Sequence, residues 1–312
     1  MRFRHPDGTL VHLAYCTNVH PADDLDGVLA QLARYAEPVR ERLGAGSLGL
    51  GLWLAADVAR ALADDAALTR LRGELAARGL EVVTLNGFPY RAFHAPVVKR
   101  AVYEPDWTEQ ARLDYTLDLA RVLQRLLPDD AARGSISTLP LGWRAPWPAE
   151  RDDAARRQLD LLARELARLD RPVRVAIEPE PGCVIETTDR LRRTLAQADT
   201  EWIGSCLDLC HLAVGFEDPA DAVAAAAPVV KAQVSCALQA DDPTDPATLK
   251  ALEAFAEPRF LHQTRSADGR AWDDLPAEQR PRGDGTLIDG IADELAWTRD
   301  RLLALGLREV TE

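Results

Sequence analysis

Positive charge is scarce in this 312-residue chain: 37 Lys and Arg stand against 50 Asp and Glu, a formal net charge of −13. Such a surface repels nucleic acid and anionic lipid, so small molecules or other proteins are the expected partners. No apolar run is long enough to cross a bilayer, and the opening MRFRHPDGTL lacks the apolar core of a signal peptide. The expectation is a soluble, cytoplasmic protein without direct membrane insertion. Cysteines number five, an odd count, and a 47% hydrophobic chain can build a core without staples. Cys16, Cys183, Cys206, Cys210 and Cys236 fall in or just after candidate strands and read as reduced, small buried hydrophobes; a CxxC spacing for a thiolate metal site is absent. No G-x-G-x-x-G joins the first strand to the helix after it, and G-x-x-x-x-G-K-[ST] is absent, which removes dinucleotide and nucleotide-triphosphate cradles.

What is present is an alternation of two periods. Short apolar, β-branched runs predict strands at 13–19, 47–54, 81–85, 135–139, VRVAIEPEPG, IGSCLDLCH, VVKAQVSCAL and 259–265. Between them, apolar residues at helical spacing predict helices over 24–43, 57–78, 108–127, 148–169, 188–198, 219–227, 245–256 and 287–305. Strand and helix alternate eight times with no break in composition, which predicts one α/β domain over 1–312, a (β/α)8 TIM barrel. The connection 87–106 is long and aromatic, with Phe88, Tyr90, Phe93, His94 and Tyr103 beside Lys99, and reads as a lid.

In a barrel the chemistry gathers where strands end. The strand ends here hold Asn18, His20, Trp53, Asn86, Trp143, Glu178, Glu180, Asp208, His211, Gln233, Ser235, His262 and Arg265. Glu178, Asp208, Gln233 and His262, one from each of four successive strands, make a candidate shell for one divalent ion. Two carboxylates, an amide oxygen and an imidazole suit Mn²⁺, Mg²⁺, Zn²⁺ or Fe²⁺, and the charges cancel. Glu178, Glu180 and His211 are the candidate catalytic groups; Asn18, His20, Trp53, Asn86, Trp143 and Arg265 are candidates for substrate contact. Each taken singly also has a structural reading: a salt-bridged carboxylate, a hydrogen-bonded core histidine, a packed tryptophan.

Glu178 at the fifth strand and D-L-C-H at 208–211 resemble the xylose isomerase-like TIM-barrel superfamily of sugar isomerases, epimerases and endonuclease-IV-type enzymes. More narrowly, YCTNVHP, TLNGFPY, SISTLPL and FLHQT resemble the EboE family, metabolite traffic proteins of bacterial Ebo-type operons. The resemblance spans nearly the whole chain. It implies a metal held by Glu178, Asp208, Gln233 and His262, with His211 touching a small polyhydroxylated substrate. Two departures stand out: the sugar epimerases carry His on the seventh strand and Glu on the eighth, where this chain has Gln233 and His262. The implied chemistry is therefore isomerisation by a single carboxylate base rather than two-face epimerisation. A metal-dependent hydrolase or lyase and a non-catalytic metabolite-binding barrel remain alternatives. A homodimer is the default assembly for a soluble protein.

Overall fold

Seven short strands line up side by side in the order in which the chain makes them. The computed structural model describes residues 1–20, 22–91, 102–235, 264–265, 271–272 and 284–310. The parallel sheet comprises β3 (Ala14–Cys16), β4 (Leu48–Trp53), β5 (Leu80–Asn86), β6 (Gly134–Thr138), β7 (Val173–Ile177), β8 (Ile203–Asp208) and β9 (Val229–Gln233), each hydrogen-bonded to the next. Helices intervene, so each crossover returns the chain to the same end of the sheet, the (β/α) barrel arrangement that the alternation predicts. Every residue of β4 is buried, as are Val173, Val175, Ala176 and Ile177 of β7, because a parallel sheet is covered on both faces.

The register brings the strand ends together. Trp53 pairs with Asn86, Asn86 with Ser137, Thr138 with Ile177, and Asp208 with Gln233. One rim therefore carries the candidate residues, and the opposite rim carries the strand starts.

The structure departs from the expected elements in local ways. The helix expected over 24–43 is three pieces: α1 (Leu25–Gln31), capped by Asp24, a π-helical turn (Leu32–Ala36) and α2 (Glu37–Arg42). Pro38 lacks the N–H that an unbroken helix would use there. The helix expected over 57–78 divides into α3 (Ala56–Ala61) and α4 (Asp65–Ala77), because Asp64 accepts from the Ala67 amide at 2.9 Å and starts a new helix. Further on come α5 (Gln110–Leu126), α6 (Ala149–Leu166), α7 (Thr188–Leu195), α8 (Leu209–Val214), α9 (Pro219–Ala225) and α10 (Asp284–Ala304).

An additional three-stranded antiparallel sheet joins both ends of the chain: β1 (Arg2–Arg4) lies between β2 (Leu10–His12) and β12 (Arg308–Glu309). The turn between β1 and β2 holds Pro6, Asp7 and Gly8, with Gly8 at φ 95° and Asp7 Oδ1 accepting from the Thr9 amide at 2.8 Å. Of the strand expected over 259–265, Thr264 and Arg265 are described as β10, which pairs antiparallel with β11 (Ala271–Trp272). Asp268 and Gly269, the favoured hairpin dipeptide, stand between them in the sequence. The helix expected over 245–256, with Lys99, His94, Cys236 and His262, lies outside the described residues. No helix among the described residues is long and apolar enough to cross a membrane.

Candidate active site

Asp208 closes β8 and also starts α8, and its two carboxylate oxygens divide the work. Oδ1 accepts from the Cys210 amide at 2.8 Å, the His211 amide at 3.2 Å and the Ser235 hydroxyl at 2.6 Å. Oδ2 faces the Gln233 amide, whose Nε2 lies 3.1 Å away and also 2.6 Å from Glu178 Oε1. Gln233 thus bridges two carboxylates as a donor; half a turn of its amide would present the oxygen instead. Glu178, immediately after β7, has its other oxygen, Oε2, buried without a hydrogen-bond partner. Ligand atoms of Glu178, Asp208 and His211 all lie within 4.8 Å of one another.

Electrostatics mark the same cluster. Burial, and then the Asp208 carboxylate, push the Glu178 carboxyl up to about 7. For His211 burial alone would lower the imidazole pKa; Asp208, Glu180, Glu178 and the Pro179 carbonyl more than offset it and raise it to about 9. The Pro179 carbonyl accepts from His211 Nδ1 at 2.8 Å, so Nδ1 carries a proton and Nε2 is the atom left to face a substrate or ion. A buried, partnerless carboxylate oxygen beside a second carboxylate is a site that a divalent cation satisfies, and these donors fit one.

The other predicted residues surround this cluster at different depths. Glu180, 8% exposed, accepts from the Tyr103 hydroxyl at 3.0 Å. Trp143 lies on Gly182, whose φ of 89° and missing side chain leave room for the ring; a Cβ there would meet the indole at 2.5 Å. Trp143 also contacts Tyr103, at 5.2 Å between ring centroids. Trp53 is 1% exposed and its indole N–H donates to the Pro89 carbonyl at 3.0 Å, while Asn86 Oδ1 accepts from the Phe88 amide at 3.1 Å. Both order the start of the segment read as a lid, of which residues 92–101 lie outside the description. His20 is 1% exposed, bonded to the Tyr15 hydroxyl at 2.6 Å and stacked on Tyr35 at 3.9 Å. Asn18 sits in the 3₁₀ turn Thr17–Val19 that follows β3. Arg144 pairs with Glu186 at 2.8 Å; the side chain of Arg265 is outside the described residues.

Two residues near the cluster were not picked out as site residues from the sequence. Lys231 on β9 extends inward, its ammonium donating to the Leu85 carbonyl at 3.3 Å and Ser137 Oγ at 3.1 Å, and its charge reaches Glu178. A signal was available: the chain has three lysines among 37 basic residues, and Lys231 shares a strand face with Gln233 and Ser235. Cys16, at the end of β3, lies 4.0 Å from Gln233 Oε1, and burial pushes its thiol up.

A family profile described as "Xylose isomerase-like TIM barrel" matches residues 41–255. The chain belongs to the xylose isomerase-like TIM-barrel family. No curated protein matches it significantly. Among solved structures, it superposes on the probable 3-DHS dehydratase AsbF of Bacillus anthracis with a TM-score of 0.55, 13% identity and coverage of 93% of this chain and 99% of that one. An L-ribulose 3-epimerase gives 0.53, 14%, and 96% and 100%. An AP endonuclease of family 2 from Brucella melitensis gives 0.52, 16%, and 93% and 98%. At these identities the likeness is one of fold, and the xylose isomerase-like barrel hosts several chemistries.

Proposed function

We propose that this xylose isomerase-like barrel is a divalent-metal-dependent isomerase of the sugar isomerase/epimerase type. It acts on a small polyhydroxylated metabolite in the cytoplasm, within an Ebo-type biosynthetic or transport pathway. The observation that carries the reading is the buried, partnerless Glu178 Oε2 inside the Glu178, Asp208 and His211 cluster. The motif strings at 15–21, 84–90, 135–141 and 260–264 support the pathway.

Glu178, Asp208, Gln233 and His262 would hold Mn, Zn, Mg or Fe, with His262 assigned from the sequence alone. Such an ion supplies Lewis acidity toward a carbonyl or hydroxyl oxygen of the substrate. Glu178 takes the proton from one substrate carbon and returns it to the neighbouring carbon on the same face. His211, oriented by Pro179, gives a proton through Nε2 to the carbonyl oxygen and recovers one from the adjacent hydroxyl. Gln233 is an amide and transfers no proton, which favours transfer at carbon on one face by Glu178, with Glu180, held by the Tyr103 hydroxyl, as a further catalytic carboxylate. Asn18, His20, Trp53, Asn86, Trp143 and Arg265 complete the substrate-binding assignment, with segment 87–106 as lid over a single domain.

The test is turnover over a panel of ketoses, aldoses and cyclitols. Glu178→Gln and Asp208→Asn should each abolish it while leaving the circular dichroism spectrum intact; turnover retained in both contradicts the proposal. One observation favours a second, non-catalytic reading: Gln233 already satisfies an oxygen of each carboxylate, as in a polar pocket that only binds. A metabolite that raises the melting temperature yet is recovered unchanged after long incubation would select it.

A further inference from the structure

The rim opposite the carboxylates has its own cavity. The register sets Gly134 beside Val173, Ser135 beside Arg174, and Val175 beside Ile203, so Arg133, Arg174 and Trp202 come together where β6, β7 and β8 begin. With Ala132, Pro172 and Glu201 they line a cavity of about 260 Å³. Arg174 donates through Nη2 to the Thr200 carbonyl at 2.7 Å, and its Nε is buried with no acceptor. A Cβ at Gly204 would meet Val230 Cγ2 at 2.5 Å, the Pro228 carbonyl at 2.7 Å and Arg174 Nη2 at 3.3 Å, so the bare backbone there admits β9 closely and leaves the guanidinium in contact. Among the described residues, the exposed Arg133 side chain and the Trp202 indole N–H make no hydrogen bond or ion pair. Burial, and then the Arg133 charge, lower the Arg174 pKa.

Arg2, by contrast, is neutralised by Glu81 and Asp130, and Arg112 and Arg171 each donate to three backbone carbonyls. Glu201 lines the same cavity, and its charge acts on Arg174 without a salt bridge to either guanidinium. Among the described residues, the Arg133 guanidinium, Arg174 Nε and the Trp202 indole N–H lack an acceptor, in a protein of net charge −13. Tetrahedral oxyanions of phosphate type carry about −1.5 to −2 charge at neutral pH, which balances two guanidinium groups that bind such oxygens in pairs.

We propose that Arg133, Arg174 and Trp202 form an anion site on the N-terminal rim of the barrel, taking a phosphate-class oxyanion. The guanidinium groups hold the oxygens, and the indole offers an N–H and a flat face to whatever group the phosphate carries. The site is separate from the carboxylate cluster, and the inference does not rest on the isomerase reading.

Calorimetric titration with inorganic phosphate and with pyrophosphate, at ionic strength held constant with sodium chloride, tests it. The expected result is saturable 1:1 binding to the wild type, weakened about tenfold or more by Arg133→Gln and by Arg174→Gln. Asp208→Asn, at the far rim, should bind as the wild type does. Arg133 is exposed, so Arg133→Gln remains informative even where Arg174→Gln disturbs β7. No saturable binding, binding that Arg133→Gln leaves unchanged, or binding lost with Asp208→Asn overturns the proposal.

Discussion

Lys231 on β9 reaches Ser137 on β6, its ammonium 3.1 Å from the hydroxyl oxygen across a separation of 94 residues. The contact sets a fixed positive charge near the Glu178 and Asp208 carboxylates, where it competes electrostatically with any cation bound by them. Lys231→Met should therefore tighten Mn²⁺ binding, by about tenfold for one charge at partly buried range. Titration calorimetry checks this, and weaker or unchanged affinity would show that the ammonium supports the ligands rather than opposing the ion.

Tyr103 ties the returning end of segment 87–106 to Glu180 through one hydroxyl hydrogen bond. Removing a neutral hydrogen bond costs about 1 kcal/mol, so Tyr103→Phe should leave the urea midpoint nearly unchanged. Turnover should fall about tenfold as Glu180 loses its fixed position. Equal loss of stability and activity would make the contact a structural one.

Arg112 is fully buried and donates to the carbonyls of Pro105, Gly87 and Phe88, holding both ends of that segment. Burial brings its pKa down to about 10, so it remains charged at neutral pH. Arg112→Met would strand three carbonyl oxygens and should cost about 3–5 kcal/mol by urea unfolding. A loss below about 1 kcal/mol would mean that the segment is held by other contacts.

Glu81 on β5 binds Arg2 of β1, with Arg2 Nε 3.1 Å from Oε2, and sits 3.8 Å from His12 of β2. Burial alone would raise its pKa, but His12 and Arg2 more than offset this and hold it at about 2. A depressed carboxyl stabilises the fold above its unfolded value of about 4.3, and that stability is lost as pH falls toward 2. Glu81→Gln should cost roughly 2 kcal/mol at pH 7 and progressively less between pH 4 and pH 2. Chemical denaturation across that range tests the sign; a cost that grows with acid contradicts it.

Much of the fold was legible because a parallel barrel writes its strands as apolar runs and its helices as amphipathic ones. Of the run expected as a strand over 203–211, residues 203–208 form β8, buried from Ile203 to Leu207, while Leu209, Cys210 and His211 begin α8 because the Asp208 carboxylate caps it. Boundaries were less legible where one residue redirects the backbone: Asp64 caps a new helix inside an unbroken amphipathic pattern, and Pro38 interrupts another. The sheet of β1, β2 and β12 escaped because its strands are two or three residues long and its last pairing, Phe3 with Glu309, spans the chain. In the candidate site, position alone put Asp208, Glu178 and Gln233 at the same rim, and the structure sets Gln233 within hydrogen-bond reach of both carboxylates. The role of Gln233 as a donor to both was not legible, since an amide's orientation depends on its neighbours. Lys231 was passed over because a lysine in an acidic chain reads as solvated surface.

The account's central claim is that Glu178, Asp208 and their neighbours hold one divalent ion. Metal content of protein purified without chelator, for the wild type and Asp208→Ala, tests it most directly. The account predicts near-stoichiometric Mn, Zn, Fe or Mg in the wild type and its loss in the variant. A wild type that is metal-free and cannot be loaded, or a variant that keeps its metal, would contradict it.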